Sequence, residues 1–149
     1  MKTVIITGAS NGMGYKAAKV FASKGWKVFA GARRVEKIPT DQNIVGLKLD
    51  VTDSASNHAF IAEILKQTQQ IDVLINNAGY GEFGPAEEIP MENVRKQFET
   101  NFFGAVELTQ LVLPTMRAQK SGRIINISSI GGDLYMPLGS YYHATKAAL

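Results

Sequence analysis

Three glycines within Thr7–Gly14 constrain this chain more than any other feature. They are spaced Gly8-x3-Gly12-x-Gly14. The apolar run Val4-Ile5-Ile6 precedes them, and a helical pattern from Met13 to Lys24 follows. A short run of β-branched residues ending at a glycine reads as a buried parallel strand. In that context Gly8 permits a tight turn, Gly12 lets backbone approach a bound group, and Gly14 lets the helix lie close to the sheet. A strand-to-helix turn of this kind places Ser10, Asn11, Gly12 and Met13 at the positive end of a helix dipole, where a pyrophosphate is stabilised. The loop is therefore expected to cradle a dinucleotide. A Walker-type nucleotide loop is excluded, because no Gly-Lys-Ser/Thr closes it.

The rest of the chain repeats the strand-helix alternation. Strands are expected at Trp26–Ala30, Ile44–Leu49, Ile71–Ile75 and Ile124–Ile127. Between them come the Met13–Lys24 helix, with Ala17, Val20 and Phe21 on its inner face, and a helix capped by Thr52 or Asp53 that runs to about Gln69. In the second helix Phe60, Ile61, Ile64 and Leu65 are expected to face inward. Met91 to about Gln119 reads as one long helix that Pro114 kinks or brings to its last turns. A final helix begins near Ser140. Such alternation implies an α/β fold, a Rossmann-type doubly wound parallel sheet. Residues 1–149 form one dinucleotide-binding domain, incomplete at its C-terminus. A sheet stopping after a fifth strand leaves that strand as an exposed edge, so the chain is expected to be a fragment.

Composition removes several function classes. The net charge is +3 with scattered basic residues, which leaves no nucleic-acid footprint. With no cysteine and only His58 and His143, neither disulfides nor a metal centre are expected. No signal peptide or membrane span is read, and a cytoplasmic location is the default.

The end of the second strand distinguishes between dinucleotides. NAD sites place an acid there for the ribose hydroxyls, whereas this chain has Gly31-Ala32-Arg33-Arg34. Arg33 and Arg34 suit a 2′-phosphate through charge-assisted hydrogen bonds, so NADP(H) is favoured over NAD(H).

Downstream lie Asn76-Asn77-Ala78-Gly79, after the fourth strand, and Tyr142-His143-Ala144-Thr145-Lys146, opening the last helix. Together with Thr7–Gly14 these motifs resemble the short-chain dehydrogenase/reductase family, in its ordinary-length branch, across all 149 residues. The resemblance implies hydride transfer between NADP(H) and an alcohol or ketone. It makes Asn101, Ser129, Tyr142 and Lys146 catalytic, with Ser128 as the competitor for the serine. Ser129 would hydrogen-bond the substrate oxygen, and Asn101 would hold a water linked to Lys146. Asp50 and Val51 would lie beside the adenine. Asn77, Ala78 and Gly79 would line the groove near the ribose and nicotinamide, and Lys146 would reach the nicotinamide ribose. Asp72 and Asn76 are read as structural, and His58 and His143 as packing or surface residues.

The chemistry agrees with that assignment. A carbonyl accepting hydride needs a proton donor at the nascent alkoxide. A free tyrosine, with a pKa of about 10, holds its proton too tightly to cycle near neutrality. Tyr142 and Lys146 are i and i+4, so a cation shares the phenol's helix face. Tyr141 and Tyr135 have no lysine at that spacing. Apolar residues in Tyr80–Pro85 and in Gly132–Leu138 hint at a hydrophobic substrate, steroid-like or long-chain. Family members are longer than this chain and use the Met91–Gln119 helix and the last helix to form homo-oligomers. A non-catalytic dinucleotide sensor and an inactive fragment of such an enzyme remain as alternative readings.

Overall fold

The computed structural model describes residues 1–149. Five strands form one parallel sheet: β1 (Thr3–Thr7), β2 (Lys27–Ala32), β3 (Ile44–Lys48), β4 (Val73–Asn76) and β5 (Arg123–Asn126), in the order β3-β2-β1-β4-β5. From β1 the chain winds outward through β2 and β3, then crosses back to β4 and β5. The order reverses between β1 and β4, and in doubly wound sheets the crevice at such a reversal is where ligands bind. The expected fold class holds.

The helices are α1 (Gly12–Ser23), α2 (Ser54–Gln67), α3 (Met91–Phe98), α4 (Gly104–Ala118) and α5 (Ser140–Ala148). Alternation along the strands divides the core into two layers. Ile5, Phe29 and Leu74 face Phe60, Ile61 and Ile64 of α2 and Leu108, Val112 and Met116 of α4. Val4, Ile6, Val28, Ala30 and Ile75 face Ala18 and Ala22 of α1. Central strands covered on both faces must be apolar throughout, which is why β1 is buried along its whole length.

Three expectations about the helices need correction. On α1 the buried positions are Gly14, Ala18 and Ala22; of the expected face Ala17 and Phe21 pack partly buried against the core, while Val20 is 52% exposed. The helix presents its smallest side chains to the sheet because it lies so close: a Cβ on Gly14 would fall 2.5 Å from Gly8 O. On α2, Asp53 provides the cap by accepting from Ala55 N, and Leu65 turns outward. The Met91–Gln119 helix is interrupted well before Pro114, which falls in the last turns of α4 as one of its two readings has it. A single π turn, Glu99–Phe103, separates α3 from α4, and Asn101 is buried within it. Pro114 lies on the exposed side of α4, where the carbonyl it frees can meet water, and α4 continues past it to Ala118.

Candidate functional site

The site begins where β1 and β4 end side by side. Thr7 is buried, and its hydroxyl oxygen accepts from Asn77 N at 3.0 Å and Ala78 N at 2.9 Å. Asn77 Nδ2 donates to Thr7 O at 2.9 Å and Gly8 O at 3.2 Å. The glycine loop and the Asn-Asn-Ala-Gly segment are thus tied into one rigid floor. Gly8 adopts φ +67° at a close approach, since a Cβ there would lie 2.9 Å from Ala78 Cα. Gly12 adopts φ +56° but its Cβ would meet nothing within 4 Å, so the glycine serves the turn and leaves the floor bare. From Gly12 onward α1 has neither a side-chain cap nor an acid in its first turn. Its leading N–H groups are left to the cleft, as an anion site requires.

The cleft above this floor has a volume of about 710 Å³, within the common range for ligand pockets. Its wall contains Gly8, Ser10, Asn11, Gly12, Met13, Arg33, Arg34, Asp50, Val51, Asn77, Ala78 and Gly79, all expected from the sequence. Gly14 is not on the wall; it is buried behind the loop, where its missing side chain makes room for Asn77 Nδ2. Lys96 and Thr100 also line the cleft and were not foreseen. They sit one turn apart near the C-terminal end of α3 and in the π turn, and only the tertiary placement of that segment brings them to β4. Burial works against the charge of Asp50. The Thr52 hydroxyl and amide, with Arg33 and Lys96, outweigh it and hold the Asp50 carboxyl below the usual carboxylate range.

A smaller cavity of about 320 Å³ shares Met13, Asn77, Gly79 and Tyr80 with the cleft and adds Phe83, Ser128, Tyr142 and Lys146. Tyr142 and Lys146 therefore line one cavity from one face of α5, as their spacing predicts. Lys146 is 6% exposed and donates to Ile127 O at 2.9 Å, and burial pushes its ammonium pKa down. A Cβ on Gly79 would lie 3.1 Å from Asn101 Oδ1 and 3.2 Å from Lys146 Nζ, so that glycine separates the two polar groups at close range. The Asn101 side chain is engaged by the fold: Oδ1 accepts from Tyr80 N, and Nδ2 donates to Tyr80 O and Thr145 Oγ1.

The two serines differ in what their hydroxyls do. Ser128 Oγ donates to Lys146 O at 2.8 Å and thereby anchors α5 to the end of β5. Ser129 Oγ accepts from Gly131 N at 3.1 Å, and its proton has no acceptor in the chain. Tyr141 is directed elsewhere, donating to Ala86 O at 3.0 Å. Asp72 and Asn76 are structural as read: Asp72 Oδ2 accepts from Thr3 N, and Asn76 Nδ2 donates to Asn126 Oδ1. His143 is buried, whereas His58 is mostly exposed beside Glu107. No helix is long and apolar enough to cross a membrane.

Comparison with known proteins follows this geometry. The family profile described as short chain dehydrogenase matches residues 2–149. A 3-ketodihydrosphingosine reductase of Bacteroides thetaiotaomicron is 40% identical over 148 residues, covering 98% of this chain and 54% of that protein. The human dehydrogenase/reductase SDR family member 7 is 34% identical, covering 98% of this chain and 47% of its own length. The chain thus spans about half the length of these curated relatives. Among solved structures, a short-chain dehydrogenase from Streptomyces avermitilis superposes with a TM-score of 0.96 at 38% identity, over 100% of this chain and 58% of that one. The closed form of a serine dehydrogenase complexed with NADP+ gives 0.92 at 34% identity, over 97% and 61%. With its glycine cradle, its Tyr142–Lys146 pair and a family match over nearly every residue, the chain belongs to the short-chain dehydrogenase family.

Proposed function

We propose that this protein is an NADP(H)-dependent oxidoreductase that interconverts a hydrophobic ketone and its alcohol, and that residues 1–149 belong to its dinucleotide-binding domain. The observation that carries the reading is the adjacency of two cavities: the cleft over the glycine loop shares Met13, Asn77, Gly79 and Tyr80 with the cavity that Tyr142 and Lys146 line.

The residues present fit a dinucleotide. The bare floor at Gly12 and the uncapped start of α1 suit a pyrophosphate. Arg33 and Arg34 on the far wall suit a 2′-phosphate, and an NADP+ complex is known for a structural neighbour. When bound, the nicotinamide supplies or accepts the hydride.

The chain's own groups handle the proton. In reduction the Tyr142 hydroxyl donates its proton to the substrate oxygen as negative charge develops there. The Lys146 ammonium, held by Ile127 O, stabilises the charge that forms on the phenol oxygen as the proton leaves. The uncommitted proton of Ser129 donates a hydrogen bond to the same substrate oxygen. Asn101 braces Tyr80 beside Lys146 and, with a water, completes the route by which Tyr142 regains a proton. In alcohol oxidation every transfer reverses.

Support for a hydrophobic substrate comes from Phe83, half exposed on the cavity wall, and from Leu134, Tyr135, Met136 and Leu138, each more than 50% exposed in the loop that leads into α5. The relative named 3-ketodihydrosphingosine reductase points the same way. The test is NADPH oxidation by the intact protein over a panel of steroidal and long-chain ketones. Ketone-dependent turnover is expected. NADPH binding with no turnover on the panel overturns the enzymatic reading in favour of a sensor.

A further inference from the structure

His143 follows Tyr142 on α5 and is only 3% exposed, yet the proton route above does not use it. Its two ring nitrogens have different partners. Nδ1 lies 2.8 Å from Gly131 O, and a carbonyl only accepts, so Nδ1 carries the proton. Nε2 faces both backbone groups of Met136, with N at 3.0 Å and O at 3.2 Å; with the proton on Nδ1, Nε2 accepts from Met136 N, the shorter of the two. One neutral tautomer satisfies both bonds. Tyr135, Tyr142 and Phe83 surround the ring at centroid distances of 5.8, 6.0 and 6.2 Å. Two glycines leave room for it: a Cβ on Gly139 would fall 2.5 Å from Nε2, and one on Gly131 would fall 2.8 Å from Nδ1.

These bonds reach the segment that carries Ser129. Gly131, held by Nδ1 through its carbonyl, donates through its N–H to Ser129 Oγ, and Gly132 N donates to Ser129 O. The large side chains of the segment do little to fix it, since Ile130, Leu134, Tyr135 and Met136 are each more than 60% exposed, although Gly131 is buried and Gly132 lies against the Lys146 backbone. Little apolar burial holds such a loop, so its few hydrogen bonds to the framework set its position.

We propose that His143 is a positioning residue. From inside the fold it holds the Ser129–Met136 segment at Gly131 and Met136, and through Gly131 it aims the Ser129 hydroxyl. The inference rests on the carbonyl-reductase reading for its kinetic consequence, but its structural consequence can be measured without turnover.

The test uses the intact protein, with His143→Ala, His143→Asn and Gly139→Ala variants. Nitrogen-15 spectra of the native imidazole should show the proton on Nδ1. Amide exchange at Met136 should quicken at least about tenfold in His143→Ala. For the ketone, kcat/KM should fall about tenfold, as the loss of one or two neutral hydrogen bonds implies, while the Kd for NADPH stays within about twofold of native. His143→Asn should recover part of kcat/KM, because its amide can still donate to Gly131 O. Gly139→Ala, which pushes on the ring without replacing it, should reproduce the His143→Ala pattern if that variant does not fold. A proton on Nε2 overturns the proposal, as does unchanged exchange at Met136 in folded His143→Ala. If the native protein turns over no ketone, the function reading fails, and the exchange and nitrogen-15 results still decide the role of His143.

Discussion

Asn101 holds both backbone polar groups of Tyr80: its Oδ1 accepts from Tyr80 N at 2.9 Å, and its Nδ2 donates to Tyr80 O at 2.7 Å. The same Nδ2 reaches Thr145 Oγ1 at 3.0 Å, so one amide joins the π turn, the segment after β4 and α5. Truncating it strands several polar groups at once. Asn101→Ala is expected to cost about 2 kcal/mol or more, because unsatisfied buried groups cost more than a made bond returns. Urea unfolding measures this, and an unchanged midpoint would contradict the brace.

Lys146 is buried with its charge, a state that burial opposes. A base whose folded pKa is lowered binds fewer protons folded than unfolded, so stability rises with pH as that penalty is relieved. Lys146→Met keeps the stem and removes the charge. The variant should lose turnover without a lower melting temperature at pH 7. Any stability advantage it has should shrink as the pH climbs toward the ordinary lysine value of about 10.4. A variant that melts well below native at pH 7 contradicts this assignment.

The two serines should separate cleanly. Ser129→Ala removes the free hydroxyl proton and should lower kcat by roughly 10²-fold, the scale for losing one oxyanion donor. Ser128→Ala removes the bond to Lys146 O and should lower stability by about 1 kcal/mol, with a smaller effect on kcat. Steady-state kinetics and urea melts on both variants check the pair, and the opposite pattern would make Ser128 the substrate-binding hydroxyl.

Much of this was legible in the sequence, for physical reasons. The succession of strands and helices follows from short apolar runs broken by glycine and helical segments. The cradle follows from glycine spacing, and Tyr142 with Lys146 from helical periodicity. What escaped depends on contacts distant along the chain. The core face of α1 was misjudged because Gly14 draws the helix against Gly8, which favours Ala18 and Ala22 over Val20. The π turn was missed because the helical pattern runs through it unbroken; its buried residue, Asn101, bonds to Tyr80, far back in the chain. The distance of the family's serine from the tyrosine favours Ser129 over Ser128; what only the fold shows is that Ser128 lines the cavity with its hydroxyl spent on Lys146 O, whereas the Ser129 proton is uncommitted. His143 was read as packing or surface because it lies off the helical face of Tyr142; it is indeed packed, but its hydrogen bonds to the loop beside Ser129 are contacts that helical spacing does not show.

Arg33 sets the cofactor preference in this account. It lies on the cleft wall close enough to Asp50 to help hold its charge. Arg33→Ala should weaken NADPH binding about 10- to 100-fold, the loss expected for a hydrogen bond to a charged group. NADH binding should change by less than about threefold. Calorimetric titration with both dinucleotides checks this, and tight NADH binding indifferent to the substitution would reverse the preference.

The central claim is that the Tyr142 hydroxyl delivers the proton at a carbonyl held beside Lys146. Its most direct test is ketone-dependent NADPH oxidation by the intact protein carrying Tyr142→Phe, with NADPH binding measured on the same sample. The account predicts kcat reduced by at least about 10²-fold, the lower end for loss of a general acid, with NADPH affinity retained. Near-native turnover in Tyr142→Phe would contradict it.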